Sequence, residues 1–277
     1  MYILFDIGGT KTRLATSIDL ISFTEPIIFA TPDKFSSGRE LLVKEIKNLI
    51  GGEKIKALAG GIAGVVDKAS GQILSAPNLP DWVGSFLVED LKQELAVPVF
   101  LDNDTAMAGL GEVARGAGQG GDIVAYITVS TGVGGSRIVN KKIDTSVFGF
   151  EPGHQIIDQK ALIASGGSHS GHLDDFISGR AVAERFACPP YEIKDDKIWT
   201  EITRQFSIGL YNTILHWSPD TVVLGGSMFK QPGIKVEQIQ SDLSEMMQAF
   251  PKLPTIKPAE LGDFGGLYGA MFSLREK

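Results

Sequence analysis

Asp6-Ile7-Gly8-Gly9-Thr10-Lys11-Thr12-Arg13 lies between two apolar runs, and a similar pattern returns at Ser130-Thr131-Gly132-Val133-Gly134-Gly135-Ser136-Arg137. Each stretch predicts a strand that enters a polar, glycine-rich turn and leaves it as a second strand. The first turn lacks the spacing of the nucleotide P-loop, and it lacks the helix that follows a dinucleotide fingerprint. The repeat predicts two related hairpins, one on each of two sheets, that face each other across a cleft.

The composition excludes several classes of protein. Of 277 residues, 43% are hydrophobic and 21% are charged, which is ordinary for a globular protein. The formal net charge of −7 gives no reason to expect nucleic acid or an anionic membrane as a partner. The start of the chain is too short for a signal peptide, and no apolar run approaches roughly 18 residues. We therefore expect a cytoplasmic protein without a membrane partner, and the single cysteine, Cys188, excludes an internal disulfide.

The rest of the chain alternates short Ile- and Val-rich runs with amphipathic helical patterns. This alternation predicts an α/β protein whose sheets are covered by helices. One helix is expected to begin with a capping box at residues 37–40 and to continue to residue 49. We expect an N-terminal lobe at 1–117, joined by the C-terminal helix 266–277, and a C-terminal lobe at 118–265.

The first glycine turn, residues 8–11, offers backbone amides, a hydroxyl and an ammonium group. These are the groups that bind a chain of phosphates, so we predict that Gly8, Gly9, Thr10 and Lys11 bind ATP. Asp6, at the end of the preceding strand, could orient Mg²⁺ through water. The alternative is a plain hairpin turn with an aspartate cap. The second turn, residues 131–135, has the same character, and a pair of such turns favours nucleotide binding through Thr131, Gly132 and Gly134.

An apolar strand at Leu101 runs into Asp102-Asn103-Asp104 just before a predicted helix. Asp104 could simply be the N-cap of that helix. It could equally be a general base that accepts the proton of a sugar hydroxyl during phosphoryl transfer, with Asn103 bound to neighbouring hydroxyls. The sequence pattern alone does not choose between these two roles.

Taken together, these motifs resemble the ROK family (repressors, open reading frames and kinases) of the actin-like ATPase superfamily of sugar kinases. The resemblance covers nearly the whole chain and implies a two-lobed, ribonuclease H-like α/β fold with an interlobe cleft. Besides the two glycine turns, the matching segments in chain order are 61–67, 78–82, 103–104, 151–154, 219–226 and 261–270.

The resemblance also implies an activity and assigns residues to it. The expected activity is ATP-dependent phosphorylation of a hexose or an N-acylhexosamine, with Mg²⁺ as the metal cofactor. Asp104 falls on the family's catalytic base, and the glycines at 225 and 226 fall on its adenosine segment, which makes Gly225 and Gly226 ATP-binding. The implied sugar-binding residues are Gly64, Asn78, Asn103, Glu151, His154 and Asp174. A homodimer is possible by the same resemblance.

One stretch departs from the family. ROK proteins usually bind structural zinc with three cysteines, but here Ser165, Gly167 and His172 occupy those positions. His154, His169 and His172 could in principle hold zinc without cysteine. The alternative, which we expect, is that the zinc has been lost. Asp174 also stands where the family has a longer glutamate.

The sequence also bears on two functions other than that of a kinase. The family includes DNA-binding repressors, but their DNA-binding region precedes the first phosphate motif, which begins here at Asp6, and the chain is acidic. The second is a catalytically weak sugar- or nucleotide-binding protein, suggested by the altered cysteine loop. Retention of Asp6, Asp104 and both glycine turns argues against it.

Overall fold

The structure is a computed structural model that describes residues 1–166 and 170–276. Residues 167–169 of the stretch that corresponds to the family's zinc loop lie outside the described residues, and with them Gly167 and His169, which were considered as zinc-site positions. The strands are β1 (Tyr2–Ile7), β2 (Lys11–Ser17), β3 (Ile27–Ala30), β4 (Ala57–Ile62), β5 (Val65–Val66), β6 (Ile73–Ser75), β7 (Val99–Asn103), β8 (Ile123–Val129), β9 (Val133–Val139), β10 (Lys142–Ile143), β11 (Thr221–Gly225) and β12 (Thr255–Pro258). The helices are α1 (Phe35–Ile50), α2 (Leu87–Leu95), α3 (Asp104–Arg115), α4 (Gln159–Ala164), α5 (Leu173–Ile177), α6 (Gly179–Phe186), α7 (Asp196–Trp217), α8 (Val236–Met246) and α9 (Gly265–Arg275).

The chain divides into two compact units. Unit 1 contains residues 1–115, 145–149 and 263–277, and unit 2 contains residues 116–144 and 150–262. The predicted lobes, 1–117 with the C-terminal helix and 118–265, stay a prediction. Within residues 1–166 and 170–276, no helix combines the length and the apolar character needed to cross a membrane.

Unit 1 is built on a sheet of strand order β3-β2-β1-β4-β7. Strands β1 and β2 form an antiparallel hairpin, and β3 pairs antiparallel with β2. At its other edge, β1 pairs in parallel with β4, and β4 in turn pairs in parallel with β7. Because parallel neighbours end at the same edge of a sheet, the polar residues after β1, β4 and β7 come out at one edge.

Unit 2 repeats this arrangement with a sheet of order β10-β9-β8-β11-β12. Here the antiparallel hairpin is β8–β9, extended by β10, and β11 and β12 are the parallel strands beside β8. The repeated motif in the sequence therefore corresponds to a repeated sheet, with one glycine turn at the tip of each central hairpin.

Both faces of the sheet in unit 1 are covered, as expected for an α/β protein. Ile3, Phe5 and Leu58 belong to a core cluster with residues of α1 and α2. On the other face, Leu4 and Ala59 pack with residues of α9. In unit 2, the sheet packs against α7 and α8 through a third cluster that includes the buried Trp199 and Phe206.

The prediction of a capping box at residues 37–40 is wrong. Helix α1 begins at Phe35, and its first amide donates to the Asp81 carboxylate, 3.0 Å away, from a distant part of the chain. Position 38, inside this helix, has room only for glycine, because a β-carbon there would meet the ring of Trp82 at 2.2 Å. Tertiary contacts with residues 81–82, rather than a local cap, decide where α1 begins.

Candidate active site in two parts

The backbone of the first glycine turn is held by hydrogen bonds within the turn and from the buried Thr31. The hydrogen bond within the turn runs from the Gly8 amide to the Lys11 carbonyl at 3.0 Å. Thr31 adds two more, from its hydroxyl to the Gly8 carbonyl at 2.8 Å and from its amide to the Thr10 carbonyl at 3.0 Å. Thr10 and Lys11 are exposed. The turn thus combines a fixed backbone with exposed polar side chains, the arrangement that binding of an anion requires.

Gly9 and Asn78 are in direct contact. A β-carbon on Gly9 would lie 2.4 Å from the Asn78 β-carbon and 3.2 Å from its amide carbon. A predicted phosphate-binding residue and a predicted sugar-binding residue therefore lie side by side in unit 1. The sequence places them 69 positions apart and gives no sign of this contact.

Asp6 and Asp104 are brought together by the glycines of β4. Asp6 in β1 pairs with Gly61 in β4. A β-carbon on Gly61 would come within 2.8 Å of the Asp104 α-carbon, so only glycine allows the start of α3 to approach this strand. The two predicted catalytic and metal-associated carboxylates thus share one edge of the sheet in unit 1.

The surroundings of Asp6 perturb its ionisation. Burial, with a smaller contribution from the negative charge of Asp104, raises the pKa of Asp6 to about 7. Arg13 opposes this rise through an ion pair with Asp6 at 3.3 Å. The same guanidinium contacts Asp263 at 3.3 Å. At neutral pH the Asp6 carboxylate is therefore poised between its charged and neutral forms.

Asn103, and not Asp104, caps helix α3. The Asn103 side-chain oxygen accepts the Ala106 amide at 3.0 Å, and its side-chain nitrogen donates to the Gly64 carbonyl at 3.0 Å. Asp104 Oδ1 instead accepts the amide of Thr105 at 2.8 Å. The capping alternative for Asp104 is wrong, which leaves its carboxylate available for another role.

Asp104 has a perturbed carboxyl group. Burial raises the pKa of Asp104, and the hydrogen bonds from the Thr105 amide and hydroxyl oppose that rise only in part. A carboxylate with a raised pKa accepts a proton more readily than a solvated one. This is what a general base requires.

In unit 2, the second glycine turn lies against the segment that follows β11. A β-carbon on Gly226, which has φ of +100°, would come within 2.2 Å of the Val129 carbonyl oxygen. The hydroxyls of Ser130 and Ser227 are hydrogen-bonded at 3.1 Å. Gly225 has no room for a side chain because the Tyr126 hydroxyl would be 2.5 Å from it. The structure thus brings together predicted ATP-binding residues of both segments: Thr131, Gly132, Gly134, Gly225 and Gly226.

The segment of Glu151 and His154 packs on the start of β9. A 3₁₀ turn covers Pro152–His154, and a β-carbon on Gly153 would meet the Val133 carbonyl oxygen at 2.4 Å. Glu151 and His154 flank this buried contact and are themselves exposed. Two predicted sugar-binding side chains therefore point outward beside the second glycine turn.

The described part of the zinc loop shows a pair of histidines. The rings of His154 and His172 are 5.7 Å apart between centroids, in an edge-to-face arrangement. His172 is the N-cap of α5, and its amide donates to the Asp175 carboxylate at 3.0 Å. The Ser165 hydroxyl donates to the Leu162 carbonyl at 2.8 Å. Among the described residues, no group of three or more His, Cys, Asp or Glu side chains is placed to hold a metal ion.

Asp174 is turned toward the second glycine turn. Its Oδ1 accepts the Val133 amide at 2.8 Å, and its Oδ2 accepts the Arg180 guanidinium at 2.9 Å. The predicted role of this residue in sugar binding stays a prediction, and its observed side-chain hydrogen bonds go to Val133 of the turn and to Arg180 of α6.

Sequence reasoning missed Arg13, Thr31 and Arg180. Arg13 could have been found, because in a hairpin that turns at residues 8–11 it lies opposite Asp6, and facing opposite charges stabilise a strand pair. Thr31 and Arg180 carry no such signal. Each acts through a contact made only when distant segments fold together.

Comparisons with known proteins identify the family of the chain. A model of the ROK family matches residues 2–277. The chain is 29% identical over 304 residues to an N-acetyl-D-glucosamine kinase of Escherichia coli O127:H6, covering 98% of both chains. It is 26% identical over 280 residues to a fructokinase of Lactococcus lactis subsp. cremoris, covering 93% of both. The crystal structure of a ROK family glucokinase from Streptomyces griseus in complex with glucose and AMPPNP aligns with a TM-score of 0.79 and 25% identity, covering 100% of this chain and 99% of that one.

The duplicated sheets and their glycine turns define a two-lobed α/β protein with the actin-like ATPase fold, which confirms the predicted fold class. The chain belongs to the ROK family and is a sugar kinase of that family.

Proposed function

We propose that the protein transfers the γ-phosphoryl group of ATP to a hydroxyl of a hexose or an N-acylhexosamine. The observation that carries the proposal is the meeting of Asp6 and Asp104 at one sheet edge of unit 1, beside the first glycine turn. Relatives that are named as kinases of N-acetyl-D-glucosamine and fructose, and a neighbour bound to glucose and AMPPNP, support the same substrate classes.

Asp104 is the proposed general base. The sugar hydroxyl oxygen attacks the γ-phosphorus, its proton passes to the Asp104 carboxylate, and the bond to the bridging oxygen breaks to release ADP. The Thr105 amide fixes the orientation of this carboxylate through its 2.8 Å hydrogen bond. Asn103 is held by Ala106 and Gly64, so it can present a fixed side chain to the sugar.

The two glycine turns are the proposed phosphate sites, since their amides and the Lys11 ammonium favour negative charge. The donor set also fits Mg²⁺, which proteins commonly bind through one or two carboxylates together with water and substrate phosphates. Asp6 would hold the ion through water, and the repulsion between Asp6 and Asp104 that helps to raise the pKa of Asp6 is what a cation would relieve. Bound there, Mg²⁺ would neutralise charge on the phosphates.

The test is ATP consumption by the purified protein, followed by coupled detection of ADP, with Mg²⁺ and a panel of hexoses and N-acylhexosamines. We expect turnover that depends on one sugar or a few, with KM values for sugar and ATP measured for each. Asp104→Asn should lower kcat by about 10² to 10⁴ while leaving the affinity for sugar nearly unchanged. Asp90→Asn, an aspartate of α2 that lies 3.9 Å from Arg39, is the matched control and should keep full turnover.

The possible failures have distinct meanings. Near-normal turnover of Asp104→Asn would overturn the assignment of the base but leave the kinase standing. Absence of sugar-dependent ADP release across the whole panel would overturn the proposed function and favour the binding protein instead.

A further inference from the structure

Asp174 is engaged through both oxygens of its carboxylate. One oxygen accepts the Val133 amide at 2.8 Å, and the other accepts the Arg180 guanidinium at 2.9 Å. Only 14% of its side chain is exposed, against 59% for Arg180. Both oxygens of this short side chain are therefore held by hydrogen bonds, one to the second glycine turn and one to Arg180 of α6.

The start of α6 holds the same turn from the other side. The Gly179 amide donates to the Ser130 carbonyl at 2.7 Å, and the Arg180 amide donates to the Thr131 carbonyl at 3.2 Å. Gly179 is required here because a β-carbon would meet the Ser130 carbonyl oxygen at 2.7 Å. The second glycine turn is therefore hydrogen-bonded to α6 through the carbonyls of Ser130 and Thr131, and to Asp174 through the amide of Val133.

These contacts close a ring. The Thr131 carbonyl binds the Arg180 backbone, the Arg180 side chain binds Asp174, and Asp174 binds the Val133 amide. Asp174 Oδ1 is also close to the turn itself, since a β-carbon on Gly132 would lie 3.2 Å from it. A carboxylate so close to the glycine turn would repel phosphates bound by that turn unless the negative charge of the carboxylate were paired. Arg180 supplies the pairing charge.

We propose that Asp174 and Arg180 are positioning residues of the second glycine turn, and that Asp174 orders this turn for the ATP phosphates instead of binding the sugar. The proposal rests on the proposed function for the identity of the ligand. It assigns the Asp174 carboxylate to the nucleotide side of the reaction, and it assigns a role to Arg180, for which the sequence motifs predict none.

The two roles of Asp174 predict different kinetics. If it positions the turn, Arg180→Leu leaves an unpaired carboxylate beside the phosphates, and KM for ATP should rise about tenfold with KM for sugar unchanged. Asp174→Asn keeps an acceptor for the Val133 amide and removes the charge, so its effect should be smaller. The double variant Asp174→Asn/Arg180→Leu should then bind ATP better than Arg180→Leu alone.

Arg185→Leu is the matched control, because Arg185 lies in the same helix and forms an exposed ion pair with Glu201 at 2.7 Å. It should leave both KM values unchanged. Thermal unfolding of every variant checks that the fold is kept, and Asp174→Asn carries the test if Arg180→Leu does not fold. A rise in KM for sugar alone in Asp174→Asn, or no recovery in the double variant, would overturn the proposal.

A second readout does not depend on turnover. Calorimetric titration of each variant with Mg·ATP measures the affinity of the nucleotide site, and amide hydrogen exchange reports the protection of Val133. We expect the Val133 amide to exchange faster in Asp174→Ala than in the wild type. If the wild type binds Mg·ATP but phosphorylates no sugar, the proposed function fails while this proposal can still be judged. Equal ATP affinity in wild type and Arg180→Leu would refute the positioning role directly.

Discussion

The side-chain oxygen of Asn103 accepts the amide of Ala106 at 3.0 Å, which makes Asn103 the residue that caps α3. Its side-chain nitrogen is bound at the same time to the Gly64 carbonyl. Asn103 thus joins the end of β7 to the first turn of α3 and to the segment after β4. Asp104 follows it directly, so the position of its carboxylate depends on this cap.

Asn103→Ala should therefore impair both stability and catalysis. Loss of an N-cap typically costs about 1 kcal/mol of stability. Asn103→Ser keeps an N-cap acceptor without placing a negative oxygen against the Gly64 carbonyl, so it should retain more stability than the alanine variant. Urea unfolding and steady-state kinetics on both variants test this. Asn48→Ala, at an exposed site 3.2 Å from Glu45, is the control, and an equal loss there would argue against the cap.

Gly9→Ala should disturb sugar binding as well as ATP binding. The new methyl group would have to displace Asn78, whose β-carbon would be only 2.4 Å away. Small displacements of positioning groups can lower turnover by up to about 10². We expect KM to rise for both substrates, measured with each one varied in turn. Gly265→Ala serves as the control, because a β-carbon there makes only ordinary contacts at 3.6 Å or more. An effect of Gly9→Ala on ATP alone would contradict the coupling to Asn78.

The sequence was sufficient for the hairpins and for the order of the motifs. Alternating apolar runs and glycine turns are local signals, and the two predicted hairpins are present as β1–β2 and β8–β9. The start of α1 was not predictable in this way, since its cap comes from Asp81, 46 residues further along the chain. Local patterns favoured Ser37 as the N-cap, but the N-cap of the observed helix is Lys34, three residues earlier, where the contact between Phe35 and Asp81 fixes the start of the helix.

The candidate site shows the same division between local and long-range information. The sequence identified Asp104 but could not separate a cap from a base, because that choice depends on which side chain accepts the Ala106 amide. It assigned Asp174 to the sugar by resemblance, whereas the hydrogen bonds of Asp174 are to Val133 and Arg180. Residue type follows from a motif, but the direction of a side chain follows from packing.

The activity should depend on pH on the acidic side. Asp104 must be ionised to accept a proton, and Asp6 must be ionised to hold a hydrated cation. Burial raises the pKa of both, to about 7 for Asp6. Turnover should therefore be lost as the pH falls through about 7, which gives the pH profile an acidic limb. A higher Mg²⁺ concentration should move this acidic limb to lower pH, because bound Mg²⁺ favours the ionised form of Asp6. A profile of kcat/KM from pH 5 to 9 at two Mg²⁺ concentrations tests this, and a limb near pH 4 that ignores Mg²⁺ would contradict it.

Asp6→Asn should stabilise the protein at alkaline pH while impairing catalysis. The folded-state pKa of Asp6 is raised from 3.8 to about 7, so between these values the folded state binds more protons than the unfolded state. The contribution of Asp6 to stability is therefore complete below pH 3.8 and is lost as the pH rises through 7. Asparagine resembles the protonated form at every pH, so the advantage of the variant should grow over this window to on the order of 4 kcal/mol.

Urea unfolding at pH 4 and pH 8 measures this difference. Asp19→Asn is the opposite control, because hydrogen bonds from the amides of Ile21 and Ser22 lower the pKa of Asp19, which therefore stabilises the fold when ionised. It should be less stable than the wild type at pH 8. Equal stability of Asp6→Asn and the wild type at pH 8 would mean that Asp6 is solvated or fully paired with Arg13. Such a result would also remove Asp6 as the source of the acidic limb in the activity profile.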